Sequence, residues 1–308
     1  MSHSGLQVIK PGIMTLLQDL GRQHYQHLGL ATGGAADEQA FLWANRLLDN
    51  PPNSPALEIC FGGLQLIARQ SCQIALTGAD CNITINEQPA GNWQTLFLQT
   101  GDRLTFGHPA AGIRSYLAVK GGFTVRPTLG AVATVVREKF GGLDGFGSPL
   151  KAGDLLPCAG SEADRQRQVP PAFIPDYTAP LSLRVIENRP SDLFSDQQIK
   201  AFYQRLYQVS AQSNQMGIRL EGPGIKPQQA GIISEGMPFG AIQIPPDGQP
   251  IVLLKDRQTI GGYPVLGSVL AVDAFLLAQQ QAGTTIRFQS ISLPLAQQIT
   301  RDFYQFFM

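Results

Sequence analysis

Between Ala56 and Leu156 no apolar segment runs far before a glycine, proline or asparagine interrupts it, and this punctuation constrains the fold more than any other feature of the chain. The segments opened by Glu58–Gln65 and continued by Gln73–Leu76, Asn82–Asn86, Thr95–Leu98, Arg103–Phe106 and Ser115–Lys120 are too short for helices that hold their own. They have the length and flanking turn residues of strands. Short strands in regular succession predict a sandwich or a barrel. The whole chain shares the habit, with 33 glycines and 22 prolines in 308 residues and only 15% charged residues, so the fold class read from sequence is mainly β with a few helices.

The second half carries its densest signal between Ser234 and Pro264. Two apolar runs, Ala241–Ile244 and Ile251–Leu254, flank Pro245-Pro246-Asp247-Gly248, which predicts strand, turn and strand. The second run empties into Lys255-Asp256-Arg257-Gln258-Thr259 and then Gly261-Gly262-Tyr263-Pro264. A buried strand that delivers polar side chains to a rim is a place where ligand chemistry sits, and a polar loop closing a hairpin has the same composition.

Around these runs the chain shows three helices. Residues 36–49 carry Asp37 and Glu38 at the positive end, place Phe41, Ala44 and Leu48 on one face and stop at Pro51-Pro52. Asn45 shares that face and is read as an amide satisfying a core hydrogen bond. Asp196–Tyr207 follows Ser195, with Gln198 completing a capping box and Ile199, Phe202 and Leu206 forming the stripe. Leu295–Phe306 is entered through Ser292 and Pro294. Residues 6–17 form an opening strand that leads into the turn Gln18-Asp19-Leu20-Gly21-Arg22, and Leu183–Glu187 forms another. His24 and His27 read as surface histidines, and no metal site is expected. Gly141–Gly147, GGLDGFG, matches neither a phosphate loop nor a dinucleotide fingerprint and is expected to be a mobile loop. The proline-rich residues 161–180 are expected to be a linker between a first domain, 1–160, and a second, 181–308.

Lys+Arg and Asp+Glu each number 23, and no basic run stands out, so bulk attraction to nucleic acid or anionic lipid is not expected. Cys60, Cys72, Cys81 and Cys158 lack metal-ligand spacing and read as buried thiols of a cytoplasmic protein. The amino terminus lacks the apolar stretch of a signal peptide. The longest apolar run, Val265–Ala278, is interrupted by Ser268 and Asp273, so no membrane span is expected.

The halves also resemble each other. Phe61-Gly62-Gly63-Leu64-Gln65-Leu66 recurs as Phe239-Gly240-Ala241-Ile242-Gln243-Ile244, each preceded by a glutamate, Glu58 or Glu235. Lys120-Gly121-Gly122-Phe123 recurs as Lys255 followed by Gly261-Gly262-Tyr263, with Asp256–Ile260 inserted in the second copy. Two related β domains would bring their matching Glu and Gln positions toward a common cleft, with the polar insert as a functional addition.

These motifs resemble one family. Leu16-Leu17-Gln18-Asp19-Leu20-Gly21-Arg22, ALTGA at 75–79, YLAVKGGF at 116–123, SNQMGIRL at 213–220 and the run from Ser234 to Pro264 look like the C subunit of 5-oxoprolinase. That family is the biotin-dependent carboxyltransferase-like group, which includes the second subunit of allophanate hydrolase and part of urea carboxylase. The chain departs from the pattern at Gln215, where an arginine is frequent, and at Ile260, where a threonine is frequent. The resemblance implies two cyclophilin-like β-barrel subdomains, the first with the 36–49 helix inserted. It implies work as one subunit of an ATP-dependent (with Mg2+) 5-oxoprolinase that converts 5-oxo-L-proline to L-glutamate. The partners would be a B-type 5-oxoprolinase subunit of related cyclophilin-like fold and an A-type subunit of the LamB/YcsF kind; no biotin would be attached to this chain.

Opening an unstrained lactam requires an activated carbonyl and groups that handle charge and protons. Glu58, Glu235 and Asp256 are the catalytic candidates. Asp19, Arg22, Asn214, Arg219, Gln243, Arg257, Gln258, Thr259 and Tyr263 are candidates for binding substrate or nucleotide. Two other readings remain open: a regulatory antagonist that binds a histidine-kinase inhibitor of related fold, and the carboxyltransferase component of a biotin-dependent, urea carboxylase-like system.

Overall fold

Apolar and polar side chains alternate along Leu6–Pro11 and Leu64–Ala68, and in the computed structural model these segments pair antiparallel with their apolar faces inward. The structure describes residues 4–188 and 193–308. The described chain divides into two compact units, one chiefly of residues up to 23 and 33–178, the other chiefly of residues 24–32 and 179–306.

The first unit contains β1 (Leu6–Pro11), β2 (Met14–Gln18), α1 (Glu38–Leu47), β3 (Ala56–Cys60), β4 (Leu64–Ala68), β5 (Cys72–Asp80), β6 (Thr84–Ile85), β7 (Gln88–Pro89), β8 (Gln94–Leu98), β9 (Arg103–Thr105), β10 (Ala111–Val119) and β11 (Leu155–Leu156). Among the described residues these strands form a six-stranded sheet, β11-β1-β4-β9-β6-β7, and a five-stranded sheet, β2-β3-β10-β5-β8. Leu6, Leu66 and Leu104 of the first and Ile74, Leu76 and Leu117 of the second enter one buried cluster. Among the described residues this unit is therefore a pair of packed sheets, the sandwich alternative of the strand pattern, and the closed barrel is found in the second unit. The chain passes from one sheet to the other repeatedly, and two of these corners are built on glycine, between β1 and β2 at Gly12 and between β3 and β4 at Phe61-Gly62-Gly63. At the second corner a Cβ on Gly62 would lie 1.8 Å from the Gly107 carbonyl oxygen, so only glycine permits the crossing.

The second unit contains β12 (Leu181–Glu187), α2 (Asp196–Gln204), β13 (Tyr207–Val209), β14 (Gly217–Glu221), β15 (Glu235–Gly236), β16 (Ala241–Gln243), β17 (Ile251–Leu253), β18 (Ile260–Gly261), β19 (Val265–Val269), α3 (Ala271–Leu277), β20 (Thr285–Ser290) and α4 (Leu293–Phe307). Seven of its strands close into a barrel, β12-β19-β16-β17-β14-β13-β20, sealed by the parallel pairing of β12 with β20. The capping box at Ser195 forms as the sequence indicates. Phe202 of α2 then stacks on Phe288 of β20 with ring centroids 4.4 Å apart. The predicted Asp196–Tyr207 helix ends sooner, because Tyr207 is claimed by β13. The apolar run from Val265 resolves into a strand and a short helix, α3, broken at Leu270.

Two segments behave unlike their composition. Residues 161–178 lie along the edge of β8: Thr95 N donates to Arg167 O, Val169 N to Trp93 O, and the Arg167 guanidinium grips Asp49 through two bonds of 2.5 Å. Instead of spanning open solvent as a linker, this stretch covers a sheet edge that would otherwise expose unpaired backbone groups. The glycine-rich 141–147 loop, expected to be mobile, is tied down by Gly142 N to Val132 O and Gly147 N to Gly141 O, with Asp144 accepting from Phe146 N.

One buried network organises the first unit. Glu58, 1% exposed on β3, accepts from the Tyr116 hydroxyl at 2.7 Å and from Ala36 N at 2.9 Å, and faces Arg114 Nε at 3.7 Å. The same tyrosine oxygen accepts from Asp37 N, and Asp37 caps α1 by accepting from Ala40 N. Burial first, then the charges of Glu58 and Asp37, push the Tyr116 phenol well above its ordinary value, so it stays a donor. Asn45 forms its expected core bonds, donating to Ser54 O and accepting from Asn50.

Glu58→Ala leaves Arg114 buried opposite an apolar hole and is expected to cost about 3–5 kcal/mol of stability in urea unfolding, with Glu58→Gln milder. Ser195→Ala is expected to cost about 1 kcal/mol in the same measurement, and Ser195→Asp to retain most of the cap.

Candidate functional site

The polar run after β17 folds back beneath a two-stranded ribbon, and Met237 is the residue it grips. Glu235 and Gly236 of β15 pair with Gly261 and Ile260 of β18. Met237 N donates to Thr259 O at 2.9 Å, Met237 O accepts from Arg257 Nε at 2.8 Å, and Gln243 Nε2 lies 3.2 Å from Met237 Sδ. Gln258 Nε2 donates to Gln243 Oε1 at 3.1 Å and closes the circuit. Gly261 lies so close that a Cβ there would stand 2.4 Å from Gln243 Nε2. Gln243, Arg257, Gln258 and Thr259 are thus brought together, around a methionine that lies within the Ser234–Pro264 run but was not singled out in it.

The Arg257 guanidinium also donates to Leu254 O, and no carboxylate among the described residues bridges it. Burial pushes its pKa down to about 10, which leaves it cationic at neutral pH. Lys255, nearly buried, holds its ammonium 4.7 Å from the Phe239 ring centroid and 5.9 Å from that of Phe275. Asp256 is 5% exposed, with its backbone N donating to Gln215 O.

Beside the ribbon lies a cavity of about 380 Å³. Glu235, Gly236 and Pro238 form one wall, Glu187 and Asn188 at the end of β12 a second, and Val265 and Ser268 of β19 the floor. Two carboxylates, an amide and a hydroxyl facing a partly apolar space can hold a water or a polar carbonyl compound and exchange protons with it. Of the residues singled out in the sequence, Glu235 reaches this cavity directly. Glu187 was visible only as the last residue of a predicted strand, and Ser268 only as an interruption of an apolar run.

The remaining candidates are placed elsewhere. Arg219 pairs with Asp247 in the turn before β17, whereas the Asp256–Thr259 run follows the other end of that strand. Asn214 is exposed and accepts from Met216 N within its own turn, and Tyr263 is 43% exposed. In the first unit Asp19 accepts from Val132 N at 2.6 Å and Gly21 N at 2.8 Å, and burial raises its pKa despite these donors. Arg22, 1% exposed, donates to Thr128 O and lies 5.6 Å from the Phe140 ring centroid. Together they pin the 18–22 turn to residues 128–140. Glu58 is enclosed in the network described above. His24 and His27 are exposed, and all four cysteines are buried outside any disulfide. Among the described residues no helix is long and apolar enough to cross a membrane.

Residues 28–290 match the family described as carboxyltransferase domain, subdomain A and B. The chain is 35% identical over 303 residues to the C subunit of 5-oxoprolinase from Escherichia coli strain K12, covering 98% of this chain and 96% of that one. It is 33% identical over 290 residues to the C subunit of 5-oxoprolinase from Haemophilus influenzae, covering 92% and 91%. Its fold is similar to the crystal structure of the K. lactis urea amidolyase, with a TM-score of 0.90 at 27% identity, over 98% of this chain and 20% of that one. The chain therefore belongs to the carboxyltransferase domain family, subdomain A and B, and is a homologue of the C subunit of 5-oxoprolinase.

Proposed function

We propose that this chain is the C-type subunit of an ATP-dependent 5-oxoprolinase, working with a B-type partner of related fold and an A-type partner of the LamB/YcsF kind. The observation that carries this reading is the match to the C subunit of 5-oxoprolinase across nearly the full length of both chains. The similarity to urea amidolyase, by contrast, extends over a fifth of that enzyme.

The Glu235 cavity supplies chemistry suited to this task. Lactam hydrolysis needs a positioned water and a group to take its proton, and Glu235 and Glu187 face the same small space. Asn188 and Ser268 offer hydrogen bonds to a lactam N–H or carbonyl. Gln243, Arg257, Gln258 and Thr259 act as positioning residues, because each holds Met237 or the side chain beside it.

The same lining argues that the chain does not work by itself. 5-Oxoproline carries a carboxylate, and among the described residues no lysine, arginine or histidine lines the cavity to meet it. The described lining therefore fits the lactam end, and in the proposed assembly a cation from a partner meets the anionic end. In this reading ATP with Mg2+ is bound in the assembled complex, with the nucleotide held chiefly by a partner chain.

Reconstitution with the B-type and A-type partners is expected to give ATP-dependent glutamate release from 5-oxoproline, and this chain alone to give none. In that assembly Glu235→Gln is expected to lower kcat by about 100-fold or more with the fold intact by circular dichroism. Unchanged turnover in both Glu235→Gln and Glu187→Gln would retire the cavity as the active centre. Partner binding without turnover would favour the regulatory reading, and carboxyl transfer from carboxybiotin the carboxyltransferase reading.

A further inference from the structure

We propose that the first unit carries a second, independent site that binds an organic cation with a short apolar body, an alkylammonium or alkylguanidinium. It is a cavity of about 640 Å³, within the roughly 300–1,000 Å³ of small-molecule pockets, and every lining residue belongs to the first unit. Nothing in the proposed 5-oxoprolinase chemistry uses it.

The residues 90–93 form one wall, held in an unusual conformation. Trp93 has φ of 57°, a left-handed geometry that a bulky side chain seldom adopts. It is kept there by fixed hydrogen bonds: its indole Nε1 donates to Gly78 O at 3.1 Å, and Asn92 Nδ2 donates to Gly78 O and Ala79 O at 2.9 and 3.1 Å. The opposite wall comes from the stretch that covers the sheet edge, with Pro171, Pro175 and Tyr177 facing the space. Tyr177 directs its hydroxyl away to Asp37 Oδ2 at 2.8 Å, which fixes the ring as an apolar surface. Both walls are held by these hydrogen bonds and carry aromatic or proline rings, as expected of a pocket formed before any ligand arrives.

Charge selects the ligand. The charged groups of the lining are two carboxylates, Asp80 at the end of β5 and Asp176, and among the described residues no lysine, arginine or histidine joins them. Asp80 and Asp176 are both exposed, so their negative field reaches the mouth while the rings enclose the body. An anion is repelled, a neutral apolar molecule gains only burial, and a cation with a few methylenes gains both burial and charge pairing. An indole wall adds attraction for ammonium or guanidinium wherever the cation meets its face.

Trp93 serves as reporter. The chain has two tryptophans, so Trp43→Phe leaves Trp93 as the single indole. Titration of that variant with n-butylammonium chloride at low ionic strength is expected to give a saturable fluorescence change with an apparent Kd of about 1 mM. Asp80→Asn and Asp176→Asn are each expected to weaken binding by about fivefold, as is raising NaCl to about 0.5 M. n-Butanol, the neutral analogue of the same length, is expected to give no saturable change. A response to butanol equal to that of butylammonium overturns the proposal, as does indifference to both Asp substitutions or the absence of any saturable change. If Trp43→Phe does not fold, the full-length wild-type chain labelled with 5-fluorotryptophan gives the same test by fluorine NMR at the Trp93 resonance.

Discussion

A carboxylate taken out of water has to be surrounded by donors, and in the first unit Glu58 is the point at which that requirement shapes the architecture. Its oxygens engage a backbone amide just before α1, a hydroxyl on β10 and, at longer range, the guanidinium of Arg114. Because Tyr116 simultaneously accepts from Asp37 N, the entry of α1 is fixed against the centre of the five-stranded sheet. Tyr177 then ties residues 171–178 to the same aspartate. Removing charge from this cluster disturbs three elements at once, since a buried ion without its partner costs several kcal/mol. The second unit achieves local order by different means, around the backbone and sulfur of Met237.

This contrast bears on what the internal resemblance between the halves means. Glu58 and Glu235 precede the same Phe-Gly motif, yet one is 1% exposed inside a sheet and the other lies exposed on a two-residue strand at the edge of a cavity. Lys120 is an exposed partner of Asp164, whereas Lys255 is nearly buried against two phenylalanine rings. The shared local sequence has left even the turns to diverge, since Phe61, Gly62 and Gly63 all take positive φ whereas of Phe239-Gly240-Ala241 only Gly240 does, and the surroundings of the matching charges differ with them. Function follows the site and its surroundings more closely than the scaffold.

The readable part of the fold was the part governed by local rules. Strand alternation, the Asp37 and Ser195 caps and the Pro-Pro-Asp-Gly turn between β16 and β17 each depend on residues a few positions apart, so periodicity and turn chemistry expose them. Whether strands close into a barrel depends on corners such as Gly12 and Gly62 and on which distant edges meet, and one unit closed while the other formed two sheets. The 161–178 segment reads as a linker because it is polar and proline-rich, and its bonds to Thr95 and Trp93 are contacts across some 70 positions that composition does not reveal. The site divides the same way. The polar run 255–259 was conspicuous, but its side chains mostly support the ribbon, and the cavity draws Glu187 and Ser268 from strands whose remaining residues are unremarkable.

The electrostatics of the cavities connect structure to assembly. The chain has no net charge, yet these two cavities are lined by acids and, among the described residues, by no basic side chain. Four arginines are engaged elsewhere: Arg22 donates to a backbone carbonyl, Arg219 pairs with Asp247, Arg184 with Asp273, and Arg257 is held beneath the ribbon by two carbonyls. These four cations are thus committed to holding the fold together. In the proposed assembly, the chain would orient the lactam and move its protons, and a partner polypeptide would add the positive charge that phosphoryl chemistry demands. Such a division of labour would suit one member of an enzyme complex, and it is consistent with acid-lined pockets in a homologue of the C subunit of 5-oxoprolinase.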